Sequence, residues 1–218
     1  VKQYQDFDFC LSENAIEFAR DLANHLKSGF VVLDEINKCG RVVKKANNGF
    51  ITFDFADFRG KDIKEDLLHR DFTINSMAVA LDDIIGNKDF EKVLIDPYKG
   101  RKDLNAKIVR LTKESAFDED SLRNMSVFSM AALFRMKIEK NTLKLAQLKA
   151  KKLKIISFER IRDELFKIIS VSDSSLYLRQ LDKCGILEII LPEIRKMRKP
   201  KTSRKIYLDI LGHSFETV

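Results

Sequence analysis

The sequence predicts an α+β fold, with strands and one helix in the first hundred residues and helices alone after them. Two observations predict it. Short runs in which apolar and polar residues alternate, separated by Gly, Asn and Asp, occur in the first hundred residues and are typical of strands. From about residue 106 the apolar residues recur at helical spacing instead. Strands that precede a block of helices form the α+β pattern.

Four strands and a helix are predicted in the first part of the chain. The run DFDFCL, residues 6–11, is the first strand, and SENAIEFARDLANHLKSGF after it is a helix with Ser12 as its N-cap. Apolar residues at helical spacing define one face of this helix: Ile16, Ala19, Leu22, Ala23 and Leu26. FVVLDE and GRVVKKA are two further strands around the turn EINKCG, and NNGFITFDFADFRG holds the fourth strand after an Asn-Asn-Gly turn.

Amphipathic helical segments make up the rest of the chain. They are DEDSLRNMSVFSMAALFRM, NTLKLAQLKAKKLKI, SFERIRDELFKIIS and SSLYLRQLDKCGILEIILPEI, the last of which ends at Pro192. The first segment places six apolar residues on or near one face: Leu122, Met125, Phe128, Met130, Ala132 and Leu133. These segments predict an all-α domain.

Composition and charge limit the classes of function. A chain of 218 residues with 44% hydrophobic content can bury the core of one or two domains. Forty Lys and Arg against 33 Asp and Glu give a net charge of +7, which favours a polyanionic partner such as nucleic acid, nucleotides or an anionic membrane surface. Cys10, Cys39 and Cys184 lack zinc spacing and are expected to be buried thiols in a reducing compartment. Without a bilayer-spanning apolar run or a signal-peptide pattern, a cytoplasmic protein with no membrane partner is expected.

Two carboxylates on the first strand indicate a metal site. Asp6 and Asp8 are two residues apart, so they share one face of the strand while Phe7 points to the other. Carboxylates on one face hold divalent metal, which in nucleotide polymerization clamps a triphosphate and activates an attacking hydroxyl. A solvated strand edge is the alternative interpretation. Asp54 in ITFDFA adds a third acidic group if its strand lies beside the first.

The stretch HRDFTIN, residues 69–75, is close to the catalytic loop of protein kinases. The kinase loop has its metal-binding Asn five residues after the Asp, whereas Asn75 stands four after Asp71. The sequence also contains no G-x-G-x-x-G and no D-F-G. A kinase is therefore excluded, and the stretch needs another explanation.

Six segments together resemble one family. In order, Asp6-Phe7-Asp8, ITFDFADFRG, EDLLHRDFTINSMA, IDPYKGRKDL, DEDSLR and SFERIRDELFKI are similar to motifs of the bacterial-type class II tRNA nucleotidyltransferases and their poly(A) polymerase relatives. The resemblance runs from Asp6 to about Glu193. It implies a nucleotidyltransferase (polymerase-β-like) head with a mixed sheet at residues 1–105, an all-α neck and body at 106–194, and a basic linker at 195–218 that opens an HD-type helical domain.

The resemblance assigns roles to particular residues. Asp6 and Asp8 are implied to be the catalytic pair that binds two Mg²⁺ ions. Residues implied to bind the sugar, triphosphate or base of ATP and CTP are Arg70, Asp71, Asn75, Asp120 and Arg123. A spacing of three is expected to put the last two on one helical face, where a carboxylate and a guanidinium read base edges by hydrogen bonds. Glu159 and Arg160 are expected to hold these helices in place.

Basic residues suggest an RNA surface. Lys149, Lys151 and Lys152 are candidates for phosphate contacts, which weaken with salt; the alternative is a solvated helix face. The stretch RKMRKPKTSRK, residues 195–205, is a linker that is also able to touch RNA.

The chain departs from the family pattern at several places. His69 replaces the first Arg of an R-R-D element, and Ser121, Ser126 and Ser129 stand where the family has Pro and Arg. Only Val1 to Gln5 precede Asp6, so the Gly-Gly-x-x-R-D element that family heads carry before the D-x-D is expected to be missing. His213 resembles the first metal ligand of an HD domain.

The expected function is template-independent addition of CMP, AMP or both from CTP and ATP to tRNA or other RNA 3′ ends, with release of pyrophosphate. A poly(A) polymerase of the same family and an RNA-binding relative with impaired catalysis are the alternatives, and an HD phosphohydrolase depends on His213 alone. The segment NKCGRVVKKANNGF is a candidate for the flexible loop on which nucleotide specificity depends in the family.

Overall fold

The computed structural model describes residues 5–47, 49–86, 89–198 and 210–216. The chain forms two compact units, one up to His69 and one from Arg70 onward. This division lies within the predicted head, so the domain limits given above stay predictions. Within the described ranges, no helix is both long and apolar enough to cross a membrane.

The first unit is built on a mixed four-stranded sheet. Its strands are β1 (Asp6–Leu11), β2 (Gly29–Asp34), β3 (Cys39–Ala46) and β4 (Gly49–Asp57), and their order is β1-β4-β3-β2. β1 runs parallel to β4, while β2, β3 and β4 pair in antiparallel fashion. All four predicted strands are confirmed. The candidate flexible loop NKCGRVVKKANNGF is mostly strand, since β3 occupies its centre.

Helix α1 (Ala15–His25) covers one face of this sheet. Ala15, Ala19 and Ala23 are buried with Val42 and Phe55, because small side chains four residues apart let the helix approach closely. The prediction of Ser12 as N-cap is wrong. The helix begins at Ala15, whose N–H donates to Asp57 Oδ1 of β4 at 2.8 Å, so the cap comes from the sheet. A second helix, α2 (Ile63–Leu68), ends this unit.

The second unit is mainly helical. Its helices are α3 (Leu81–Ile85), α4 (Phe90–Val93), α5 (Gly100–Asn105), α6 (Ala116–Glu119), α7 (Arg123–Phe134), α8 (Lys140–Lys149), α9 (Phe158–Ile169), α10 (Ser174–Lys183), α11 (Ile186–Ile190), α12 (Ile194–Met197) and α13 (Ile210–Glu216). The prediction of helices alone needs one correction, because β5 (Ile108–Val109) and β6 (Lys137–Ile138) form a short parallel sheet. Short 3₁₀ helices occupy Thr73–Asn75 and Ala150–Ile155.

Among its described residues, the second unit has one hydrophobic core. It includes Phe72, Phe117, Met125 and Phe128, all fully buried. Of the predicted face of α7, Leu133 is the exception, with 47% of its surface exposed. The last predicted helical segment is two helices, α10 and α11, because Gly185 between them adopts a left-handed φ of 70°.

Candidate functional site

The sheet of the first unit has one acidic face. β1 and β4 align Asp6 with Thr52 and Asp8 with Asp54, so these four side chains lie on the face opposite α1. Phe7 and Phe9 point the other way and stack on Phe53 and Phe55. The predicted sharing of a face by Asp6 and Asp8 follows from this alternation, and Asp54 lies on the strand beside them.

The two predicted catalytic carboxylates are open to solvent. Asp6 and Asp8 are exposed, and Asp6 accepts a hydrogen bond from the Thr52 hydroxyl. Mg²⁺ in proteins is commonly held by one or two carboxylates together with substrate phosphates. Asp6 and Asp8 fit that requirement.

Asp54 differs from its neighbours because Arg41 of β3 engages both its oxygens. Arg41 Nε and Nη2 lie 2.6 Å from Asp54 Oδ1 and Oδ2. These hydrogen bonds raise the pKa of the Arg41 guanidinium. Among the described residues, no group of three or more His, Cys, Asp or Glu side chains is arranged to hold a metal.

A buried carboxylate that the sequence did not reveal supports this unit. Asp66 of α2 is 1% exposed and accepts from the backbone N–H and the Nε of Arg59, both at 3.1 Å. The Cys10 thiol also donates to it at 3.6 Å. Asp66 therefore ties α2 to the segment after β4 and to β1. A sequence signal for the burial of Asp66 is its position next to the apolar residue Leu67, which is itself buried.

The Arg70–Asn75 loop is held by its own side chains and by the segment after β5. Asp71 Oδ1 accepts from the Phe72 N–H at 2.7 Å and from Asn75 Nδ2 at 3.0 Å. The Thr112 hydroxyl donates to the Arg70 carbonyl at 2.6 Å. Asn75 is exposed, while Arg70 and Asp71 are half-buried. The structure thus joins Asp71 and Asn75, two of the predicted nucleotide-binding residues.

Polar residues of α5 and of the segment before it also hold this loop in place. Asp103 is 5% exposed and accepts from the Thr73 hydroxyl at 2.8 Å and from Arg110 Nε at 2.9 Å. Asp96 accepts from the N–H of Gly100 at 2.6 Å and so caps α5, which carries Asp103. The segment IDPYKGRKDL contains Asp96, Gly100 and Asp103, but their contacts depend on a fold that sequence spacing does not show.

The predicted base-reading pair is arranged differently from the expectation. Asp120 has an extended backbone after α6, and Arg123 begins α7, so the two do not share a face of one helix. Asp120 accepts from the Leu122 N–H at 2.9 Å and from Arg160 Nη2 at 3.2 Å. Arg123 Nη1 lies 3.5 Å from Glu119 Oε2. Arg160 thus contacts Asp120, and the supporting role expected of Arg160 stays a prediction.

Serines replace two expected arginines on α7, and each donates a hydrogen bond. The Ser126 hydroxyl donates to the Leu122 carbonyl at 3.3 Å. The Ser129 hydroxyl donates to Glu164, a buried carboxylate that also pairs with Lys167 at 2.8 Å. Lys167 supplies positive charge beside Glu164.

Two of the three candidate RNA-binding lysines are paired. Lys149 and Lys152 lie 2.9 and 2.6 Å from Asp118 Oδ1, and their hydrogen bonds lower the pKa of that carboxyl. Lys151 is exposed. Residues 199–209 of the predicted linker and the side chain of His213 lie outside the described residues.

Two family models match the chain. The model described as the poly A polymerase head domain matches residues 1–110. The chain belongs to the poly(A) polymerase head-domain family. A model described as the probable RNA- and SrmB-binding site of polymerase A matches residues 135–197. The predicted membership of the tRNA nucleotidyltransferase and poly(A) polymerase family is confirmed.

Proteins similar to this chain include tRNA-processing enzymes. A CC-adding tRNA nucleotidyltransferase of Geobacter sulfurreducens is 33% identical over 181 residues, which cover 83% of this chain and 40% of the relative. A CCA-adding enzyme of Thermotoga maritima, solved in complex with tRNA, has a TM-score of 0.71 and 26% identity, over 88% of this chain and 45% of that chain. A tRNA nucleotidyltransferase solved with a primer tRNA and an incoming ATP analog has a TM-score of 0.69 and 28% identity, over 87% of this chain and 55% of that chain. The chain spans about 40% of the length of the curated relative from Geobacter.

Proposed function

We propose that this chain takes part in template-independent addition of CMP, AMP or both to the 3′ end of tRNA, with CTP and ATP as substrates and pyrophosphate as the leaving group. The observation that carries the proposal is the exposed pair Asp6 and Asp8 on the acidic face of a sheet in a chain of this family. The tRNA nucleotidyltransferases among its relatives support tRNA as the acceptor. These substrates favour a cytoplasmic location.

Asp6 and Asp8 are proposed to hold Mg²⁺. When bound, the metal would neutralise charge on the triphosphate and make the RNA 3′ hydroxyl easier to deprotonate. Both side chains are carboxylates with only acceptor oxygens, and they stand on a strand that is hydrogen-bonded along its length to β4. A strand holds such groups more rigidly than a loop.

The remaining predicted site residues are proposed to bind the nucleotide. Arg70 suits phosphate through its charged fork. Asp71 and Asn75 are proposed to bind sugar hydroxyls. Asp120 and Arg123 are proposed to read the base edge, and Arg160 positions Asp120 through their ion pair at 3.2 Å. Lys149, Lys151 and Lys152 are proposed to meet RNA phosphates.

The first experiment is incubation of this chain with Mg²⁺, each labelled triphosphate and tRNAs that end before CCA, after C or after CC. We expect addition that stops at a defined residue, and Asp8→Asn should lower its rate by roughly 10²- to 10³-fold while RNA binding persists. Asp21→Asn removes the same charge from an exposed position of helix α1 and should leave the rate unchanged. Full activity in both Asp6→Asn and Asp8→Asn would contradict the metal assignment.

The length of the RNA product distinguishes this function from poly(A) polymerase activity. The description of the matching head-domain family favours a poly(A) polymerase as the second candidate. Long adenosine tails in the same assay would support that candidate. RNA that is bound but never lengthened would support an RNA-binding relative.

A further inference from the structure

Three adjacent strands place a cation in one row with two carboxylates of the acidic face. Arg41 of β3 is in register with Asp54 of β4, and Asp54 is in register with Asp8 of β1. Neighbouring strands lie about 4.8 Å apart, and side chains in register share one face. Asp54 therefore stands in the middle of a row, between a carboxylate on one side and a guanidinium on the other.

The bond between Arg41 and Asp54 uses the oxygens that a metal would need. Both carboxylate oxygens accept a guanidinium N–H at 2.6 Å, a two-point contact that Arg makes and Lys does not. A guanidinium and a divalent cation repel each other, so the same carboxylate cannot serve both fully. The side chains of Arg41 and Asp54 are 38% and 21% exposed, which leaves the pair accessible to ions from solvent.

We propose that Arg41 is an internal counter-ion of the acidic face, and that its ion pair with Asp54 keeps that carboxylate from binding a free divalent cation. The inference rests on the metal site of the proposed function. With Asp54 neutralised, Asp6 and Asp8 are the carboxylates left for the metal. Such a pair binds a free divalent ion weakly and is completed by the phosphates of a triphosphate. Arg41 thereby favours metal that arrives with its nucleotide.

The test measures binding of Mn²⁺ alone, as a paramagnetic probe, to the full chain without nucleotide. Electron paramagnetic resonance of free Mn²⁺ gives the dissociation constant. We expect Arg41→Met to tighten binding by roughly tenfold, because a free carboxylate replaces a neutralised one. Asp54→Asn alone should change the dissociation constant by less than about twofold. The double variant Arg41→Met with Asp54→Asn should lose the tighter Mn²⁺ binding of Arg41→Met, since the two residues act as one pair.

Lys45→Met is the matched control. Lys45 is exposed, lies on the same strand and face as Arg41 and carries the same charge. It is in register with Phe50 of β4, so no carboxylate of that strand stands opposite it as Asp54 stands opposite Arg41. Its loss should leave Mn²⁺ binding unchanged. Equal tightening in Lys45→Met and Arg41→Met would overturn the inference, since net charge alone would explain both.

Further variants separate this inference from the proposed function. If Asp6→Asn and Asp8→Asn weaken Mn²⁺ binding while Arg41→Met binds no more tightly than the wild type, the metal site stands and the role of Arg41 is wrong. If the Asp6 and Asp8 variants bind Mn²⁺ like the wild type, the metal site itself is wrong and the inference falls with it. Circular dichroism checks that each variant folds, and Arg41→Gln repeats the measurement if Arg41→Met does not.

Discussion

Gly100 lies where the chain leaves no room for a side chain. A Cβ atom on this residue would stand 2.0 Å from the carbonyl oxygen of Thr73, inside the Arg70–Asn75 loop. The nearest atom belongs to the backbone, so the contact cannot be relieved by rotation of a side chain. Gly100 therefore allows α5 to approach the loop that carries the proposed nucleotide-binding residues.

We expect Gly100→Ala to lower the free energy of unfolding by about 2 kcal/mol or more, because the added methyl must push the loop aside. Nucleotide binding should weaken with it, since Arg70, Asp71 and Asn75 move with the loop. Gly185→Ala is the control. Gly185 has a left-handed φ of 70°, and no atom lies within 4 Å of the place that an added methyl group would take. That variant should therefore cost only about 1 kcal/mol of backbone strain.

Thermal unfolding and calorimetric titration with CTP or ATP measure the two effects. Nucleotide binding should be normal in Gly185→Ala at a temperature where it remains folded. If Gly100→Ala binds nucleotide as tightly as the wild type, the close approach of α5 does not shape the loop.

For single residues, the arrangements that could be predicted from the sequence are those that depend on local periodicity. The shared face of Asp6 and Asp8 follows from strand alternation, which two-residue spacing reveals. The pairing of Arg41 with Asp54 depends on strand register, which no local pattern contains. The shared helical face of Asp120 and Arg123 was wrong because the backbone is extended at Asp120 and α7 begins only at Arg123.

Helix α8 and the 3₁₀ turn after it present a basic surface whose charge is partly cancelled. Lys149 and Lys152 converge on Asp118 of α6. The pair of ammonium groups keeps that carboxyl ionised by lowering its pKa. Neutralising Asp118 would release both lysines without changing either of them.

Asp118→Asn is expected to strengthen RNA binding and make it more sensitive to salt. Each additional phosphate contact should steepen the slope of log affinity against log salt by roughly 0.7 to 0.9. Filter binding of tRNA across a salt series measures this slope. Asp82→Asn removes one negative charge from exposed α3, so equal slopes in the two variants would assign the effect to net charge instead.

The strands were predicted more closely than the helices were. Alternation and turn residues marked all four strands of the first unit, whereas the long apolar periodicity of residues 174–191 concealed the break at Gly185. The β5–β6 pair is two residues long on each side, too short for a periodic signal. The cap of α1 by Asp57 joins residues 42 positions apart, a contact that only the folded sheet creates.

At the scale of the whole molecule, the described residues form two hydrophobic cores with no buried residue in common. One contains Val42 and Phe55, and the other contains Phe72 and Phe128. Each core lies within one of the compact units. Burial of apolar surface is the main favourable term in folding, so each unit has its own source of stability.

Phe55→Ala and Phe128→Ala should each destabilise their own unit, by about 3–5 kcal/mol for a buried aromatic side chain. Amide hydrogen exchange measures where protection is lost. We expect faster exchange in β3 and β4 for the first variant and in α7 and α9 for the second. Equal loss of protection across both units in each variant would show that the two cores unfold as one.

The alternation of β1 also constrains how this protein changes over evolutionary time. Its carboxylates and its phenylalanines occupy alternate positions in a strand of six residues, Asp6–Leu11. A single-residue insertion or deletion there would turn the carboxylates toward α1 and the phenylalanines toward the acidic face. One event would damage the core and the proposed chemistry together. Descendants are therefore expected to vary β1 by substitution and to keep its length.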